Sequence, residues 1–152
     1  MEDVGIERVH ARPLKLFELS DWAWESPGSR DFTLFVVAQA SADDATAIRR
    51  FAAEALAAGC AYVCAWGQGC ELVHDVFDEA AIAASLFVVS TSHDEEELHQ
   101  AVYFALVNAI PEDVAVASDS PVVLAVEEAW ISQTRALIAD QAELARLWLS
   151  DE

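Results

Sequence analysis

Ala61-Tyr-Val-Cys-Ala-Trp-Gly-Gln-Gly-Cys-Glu-Leu-Val-His74 reads as a strand, a tight turn and a helix in direct succession. The apolar run from Ala61 to Ala65 suits a buried strand. Gly67-Gln68-Gly69 breaks it. From about Cys70, Leu72, Val73, Val76, Phe77 and Ala80 then recur on one helical face. In an open α/β sheet such a junction lies at a strand's carboxyl end, where ligands bind.

The pattern repeats on either side. Upstream, Phe32-Thr-Leu-Phe-Val-Val-Ala38 is apolar on both faces. Ser41 and Asp44 form a capping box, and Ile48, Phe51, Ala52, Ala55 and Leu56 keep helical spacing until Gly59. Downstream, Leu86-Phe-Val-Val-Ser90 is a third strand. Ser92 and Glu95 suggest a second capping box, and Leu98, Ala101, Val102, Ala105 and Leu106 form a third inner helix face before Pro111. Pro121–Val126 is a fourth strand. It feeds a long helix carrying Ile131, Leu137, Ile138, Leu144 and Trp148. This alternation predicts an α/β fold: a three-layer α/β/α sandwich around a mainly parallel four-stranded sheet, Rossmann-like or flavodoxin-like. Phe35, Val37, Val63, Val88 and Leu124 should be buried. Residues 32–152 form a single α/β domain on this reading, and 1–31 an irregular N-terminal segment. Within that segment Pro13–Leu19 alternates as an edge strand would, and Trp22 and Trp24 suit a lid over the core. Val114–Ala117 reads equally as loop or as a short extra strand.

Composition narrows the function. The 152 residues are 55% apolar, enough for a real core. Twenty-seven acidic residues against eight basic ones give a formal charge of −19. Nucleic-acid binding needs a basic face, and Arg49-Arg50 is the only adjacent basic pair. Anionic membranes are disfavoured for the same reason. No apolar run approaches the roughly 18 residues of a membrane span. The acidic start, Met1-Glu-Asp-Val-Gly-Ile-Glu7, lacks the apolar stretch of a secretory signal. Cys60, Cys64 and Cys70 are an odd set, expected to be reduced thiols in a cytoplasm. The acidity suits a basic protein partner, or simply solubility.

Cys64-x-Trp66-Gly67-x-x-Cys70, His74-Asp75 and Thr91-Ser92-His93 resemble the pattern of a family of small bacterial α/β domains of unknown function. The resemblance spans roughly residues 32 to 111. It implies a Rossmann-like fold and a bacterial intracellular setting, but no activity. Phe35–Asp44, leading into the first helix, more weakly resembles TIR domains. That likeness implies a catalytic glutamate at Glu97, although His93-Asp94 stands where those enzymes carry tryptophan and cysteine.

Three chemistries can be weighed at the strand ends. Phosphate binding needs a free helix N-terminus, and Asp43-Asp44 and Asp94–Glu97 already occupy two of them. Gly67-x-Gly69 lacks the third glycine of a dinucleotide fingerprint, and no cofactor is expected. Cys70 and His74 share one helix face, and Cys64 or His93 could complete a thiolate–imidazole set. Structural zinc sites usually carry a Cys-x-x-Cys, absent here, so no metal is expected and Cys64, Cys70 and His74 are weak candidate ligands. Cys70 near a helix start, with His74 or His93 as base, is the candidate catalytic set. The plainer account makes Cys60 and Cys64 buried apolar residues.

The ligand site is therefore expected between Trp66, Gly67, Gln68, Gly69 and Cys70 on one side and Thr91, Ser92 and His93 on the other. Without a complete catalytic set, the sequence favours a binding or protein-interaction module with a basic protein partner. The alternative is a hydrolase or nucleotide-processing enzyme, TIR-like at the limit, using the Cys70/His74/His93 crevice. Leu144, Leu147, Trp148 and Leu149 exceed one inner face and predict at least a transient homodimer.

Overall fold

The computed structural model describes residues 2–9 (backbone only), 12–111, 120–140, 143, 144 and 146. Its strands are β1 (Glu2–Val9), β2 (Arg12–Glu18), β3 (Phe32–Val37), β4 (Cys60–Trp66), β5 (Val89–Ser92) and β6 (Val122–Val126). The helices are α1 (Ala45–Ala58), α2 (Cys70–Ala83), α3 (Leu98–Tyr103), which continues as a π-helical turn over Phe104–Asn108, and α4 (Glu128–Ala139). The strands form one sheet in the order β1-β2-β6-β3-β4-β5. Five run parallel, and β1 joins β2 antiparallel.

The central strands are buried on both faces because their residues are apolar at every position. All six residues of β3 and all five of β6 are buried. Alternate side chains serve opposite clusters. Phe32, Leu34 and Val36 meet α1 and α2 residues such as Phe51 and Phe77. Phe35 and Val37 meet Leu98, Leu106 and Ile138 from α3 and α4. Helices therefore cover the sheet on both faces. Asp44 accepts the Ser41 amide at 2.9 Å ahead of α1, and Gly59, at φ +108°, ends that helix.

Three expectations need correction. The parallel strands number five, because β2 lies inside the sheet between β1 and β6. The third strand starts three residues late: Leu86 and Phe87 are exposed and Val88 is only half-buried, while Thr91 and Ser92 complete β5. Apolar character misled here, since β5 is a border strand stabilised by polar side chains. The Ser90 hydroxyl bonds the Asp78 carboxylate. Finally, Ser92 does not cap α3. Glu97 does, its amide donating to Gln100 Oε1 at 2.8 Å. Phe35, Val37, Val63 and Leu124 are buried as expected. Trp22 and Trp24 do close the core, Trp24 stacking on Phe32 with centroids 5.8 Å apart. Val114–Ala117, Leu147, Trp148 and Leu149 lie outside the described residues, and Leu144 is buried within the core.

Candidate functional site

The β4–α2 junction is a strap rather than an open crevice. The amides of Ala38 and Ala40 donate to the carbonyls of Trp66 (3.1 Å) and Gln68 (2.8 Å). Gly67 and Gly69 have φ of +121° and +81°, and a Cβ on either would overlap the Ala38 or Ala40 carbonyl oxygen. Gln68 is exposed. Trp66 turns toward α3 and α4, donating Nε1–H to the Glu96 carbonyl at 2.8 Å and meeting Trp130 edge-on. Cys70 is buried on the opposite face, among α1 and α2 residues. Burial pushes its thiol pKa up, which the nearby His93 backbone only partly counters.

The proposed catalytic set is thereby divided. Cys70 reaches the His93 backbone, whereas His74 turns outward, with Nδ1 3.0 Å from Asp75 Oδ1. The His93 ring joins a different chain of groups. Its Nε2 lies 2.8 Å from Thr91 Oγ1 and its Nδ1 2.9 Å from Glu96 Oε1. Thr91 also pairs with Cys64 across the β4–β5 ladder. A proton on Nδ1 faces the carboxylate and leaves Nε2 to accept from the Thr91 hydroxyl. The ring is buried and packs 4.7 Å from the Phe104 ring centre. Burial pushes the Cys64 thiol up to about 12, far from a resting thiolate. Cys64 and Cys70 lie on opposite faces of the sheet, so these weak metal candidates do not converge with His74. Among the described residues no group of three or more histidines, cysteines and carboxylates is placed to hold a metal. Glu97 is exposed and caps α3.

The open cleft lies elsewhere, and the strand order explains why. From β3 the chain passes through α1 to β4. It returns through α3 to place β6 on the other flank of β3, then leaves into α4 on the opposite face. Neighbouring strands whose connections depart to opposite faces open a crevice at their carboxyl ends. Here β2 widens it. The Leu19 amide donates to the Val126 carbonyl (2.8 Å), and the Glu127 amide to the Val37 carbonyl (2.9 Å). The result is a cleft of about 420 Å³ bordered by Glu18, Asp21, Gln39, Glu127, Glu128 and Trp130. Asp44 and Trp22 line an adjoining recess. Among the described residues no lysine or arginine lines either. Glu127 Oε1 accepts the Gln39 amide at 2.6 Å and fixes the floor. Asp21 and Trp22 are consecutive non-glycine residues at φ +52° and +56°, a conformation side chains disfavour.

Gln39, Glu127, Glu128 and Trp130 are strand-end residues by sequence, but their convergence needs the strand order, which the sequence does not carry. Arg12 also escaped the sequence reading. It is a fully buried cation held by oxygens alone. Nε donates to the Ser120 carbonyl (3.0 Å), Nη1 to Ala109 (3.1 Å), and Nη2 to Thr33 Oγ1 (2.7 Å). No pattern around Arg12-Pro13 marks it.

Among the described residues no helix is long and apolar enough to cross a membrane. No curated protein and no solved structure matches the chain. The family model of a domain of unknown function, DUF7684, matches residues 9–141. That span takes in β2 to β6, α1 to α4 and every residue of the cleft, and the chain belongs to this DUF7684 family.

Proposed function

We propose that this domain is a binding module, and that its site is the acidic cleft over the β2, β6 and β3 ends. The ligand is a cationic group, most simply a lysine or arginine side chain of a basic protein partner. One observation carries the reading: a cleft at the sheet's switch point is lined by Glu18, Asp21, Glu127 and Glu128, with no lysine or arginine beside them among the described residues. Its size falls in the range of roughly 300–1,000 Å³ typical of ligand sites. Trp130 adds an aromatic surface suited to a cation. The left-handed Asp21–Trp22 pair is the kind of local strain that accumulates at binding loops. Three free, buried cysteines support a reducing, cytoplasmic setting.

The nucleophilic-thiol alternative gains little support, since burial raises the pKa of both Cys64 and Cys70. The β4–α2 turn remains a second place where backbone could approach a ligand, but its glycines already accommodate the chain's own carbonyls.

The test uses 1,5-diaminopentane as a lysine side-chain stand-in, titrated into the full chain at 150 mM salt and followed by calorimetry. Saturable binding is expected. Glu128→Gln and Asp21→Asn should each weaken it by roughly tenfold, about 1.4 kcal/mol. Glu54→Gln, on an exposed part of α1, should leave it unchanged. Equal weakening by all three variants would mean diffuse attraction to an acidic surface and would overturn the reading.

A further inference from the structure

The far border of the sheet, away from the cleft, has its own chemistry. β5 ends the sheet and, among the described residues, pairs only with β4. The His93 amide donates inward to the Ala65 carbonyl at 2.9 Å, which sets the alternation of the ladder. The backbone groups of Thr91 face β4, and those of Ser90 and Ser92 face outward. An outward row of amides and carbonyls is a template for another extended chain.

Two flanks define what that chain would carry. Ahead of β5, Ile82-Ala-Ala-Ser-Leu-Phe87 is exposed throughout, with Ile82 at 78% and Phe87 at 71%. Such apolar exposure beside a sheet border marks an interaction surface. The Ser85 and Leu86 amides bond the Ile82 and Ala81 carbonyls, so this turn is a built feature. Beyond β5, Asp94, Glu95 and Glu97 are exposed, as is Glu79 on α2. No lysine or arginine occurs between Arg50 and Arg135, so β4, α2, β5 and α3 carry none of their own.

We propose that the β5 border takes up an extended segment of a partner protein in which apolar and basic residues alternate. The segment pairs with the outward groups of Ser90 and Ser92. Its apolar side chains cover Leu86 and Phe87, and its basic ones face Asp94, Glu95 and Glu79. A second copy of this chain fits less well, because with no lysine or arginine between Arg50 and Arg135 its own border brings no basic side chain to those carboxylates. This surface is separate from the acidic cleft, on the opposite flank of the sheet.

The probe is a fluorescein-labelled octapeptide of alternating valine and lysine, titrated into the full chain at 150 mM salt and read by fluorescence anisotropy. It should bind saturably. A peptide with glutamate for lysine should not bind, and N-methylation of alternate amides should weaken binding by roughly tenfold or more. Ser92→Pro removes one outward amide, and Phe87→Ser removes the exposed ring without touching the core. Each should weaken binding by a similar factor. The Asp21→Asn and Glu128→Gln cleft variants should not, so the two surfaces fail or stand separately. Undiminished binding by Phe87→Ser and by the N-methylated peptide would overturn the proposal. So would a dimer of the unliganded chain that Phe87→Ser dissociates, which would assign the border to a second copy.

Discussion

A guanidinium sealed in a core needs several oxygens at once, and Arg12 has them from three parts of the chain. Ser120 precedes β6, Ala105, Leu106 and Ala109 end α3 and its π-helical turn, and Thr33 lies on β3. The helix end is the favourable place for a cation, because its last carbonyls are unpaired and point along the helix dipole. Burial still costs: it pulls the Arg12 pKa down to about 10. Arg12→Met abolishes that cost but leaves the carbonyls and the Thr33 hydroxyl without their donor. Charged hydrogen bonds outweigh the relief, so a loss of about 3 kcal/mol in urea denaturation is expected, with Arg12→Lys intermediate. Equal stability of Arg12→Met and the parent would show that the carbonyls find other donors.

The buried thiols make a second prediction at this scale. Burial pushes both Cys60 and Cys64 up to about 12 from an ordinary 9.0. A group with a raised folded-state pKa contributes its stability fully below the unfolded pKa and loses it as pH rises toward the folded one. Stability should therefore fall between pH 9 and 10, by at most about 1.4 kcal/mol per pH unit for each thiol. Above about pH 10 Arg12 opposes the trend, because its depressed pKa makes deprotonation favour the folded state. Melting curves of the parent and of Cys64→Ala over pH 8 to 10 would check this. An unchanged slope in the variant would contradict it.

At the scale of elements, the β4–α2 turn shows what local sequence reveals. Gly67 and Gly69 were legible as a turn, and the reason is steric: each backbone presses on a carbonyl of the segment after β3. Gly67→Ala should cost about 3 kcal/mol, combining a φ of +121° with the collision at Ala38. Gly28→Ala, at φ +76° with nothing within 4 Å of its Cβ, should cost about 1 kcal/mol. Similar losses at the two positions in chemical denaturation would remove the steric argument. β3, α1, β4, α2 and β6 were legible for a related reason, since each keeps its apolar period along its own length. β2 and β5 were legible only in part. The alternation over Pro13–Leu19 marks β2 but not its place inside the sheet, and β5 begins three residues into the apolar run and ends on polar residues because it is a border. The acidic cleft was hidden more deeply. Its residues come from after β2, β3 and β6, and only the order of those strands brings them together. His93 was legible as a strand-end residue, but its partners Thr91 and Glu96 depended on where β5 begins.

Across the whole molecule the dominant fact is a charge of −19 on 152 residues. Like charges at this density repel one another more in the compact state than in the expanded chain, so they lower stability at low ionic strength. Among the described residues, Arg146 pairs with Glu143 on the surface, while Arg12 is held inside the core and Lys15 on the Pro27 carbonyl. Salt shortens the Debye length from about 30 Å at 0.01 M to about 10 Å at 0.1 M, below the span of the domain. The melting temperature should therefore rise by several degrees between 10 and 300 mM sodium chloride, most steeply below 100 mM. Sucrose at matched osmolality separates this from general exclusion effects, since a neutral solute strengthens burial without screening. A melting temperature independent of salt would mean that the acidic groups are too far apart to matter. Salt should act oppositely on binding and on folding, weakening a cationic ligand in the cleft and a basic strand at β5 while it stabilises the free domain. That opposition separates surface attraction from fold stability in a single salt series.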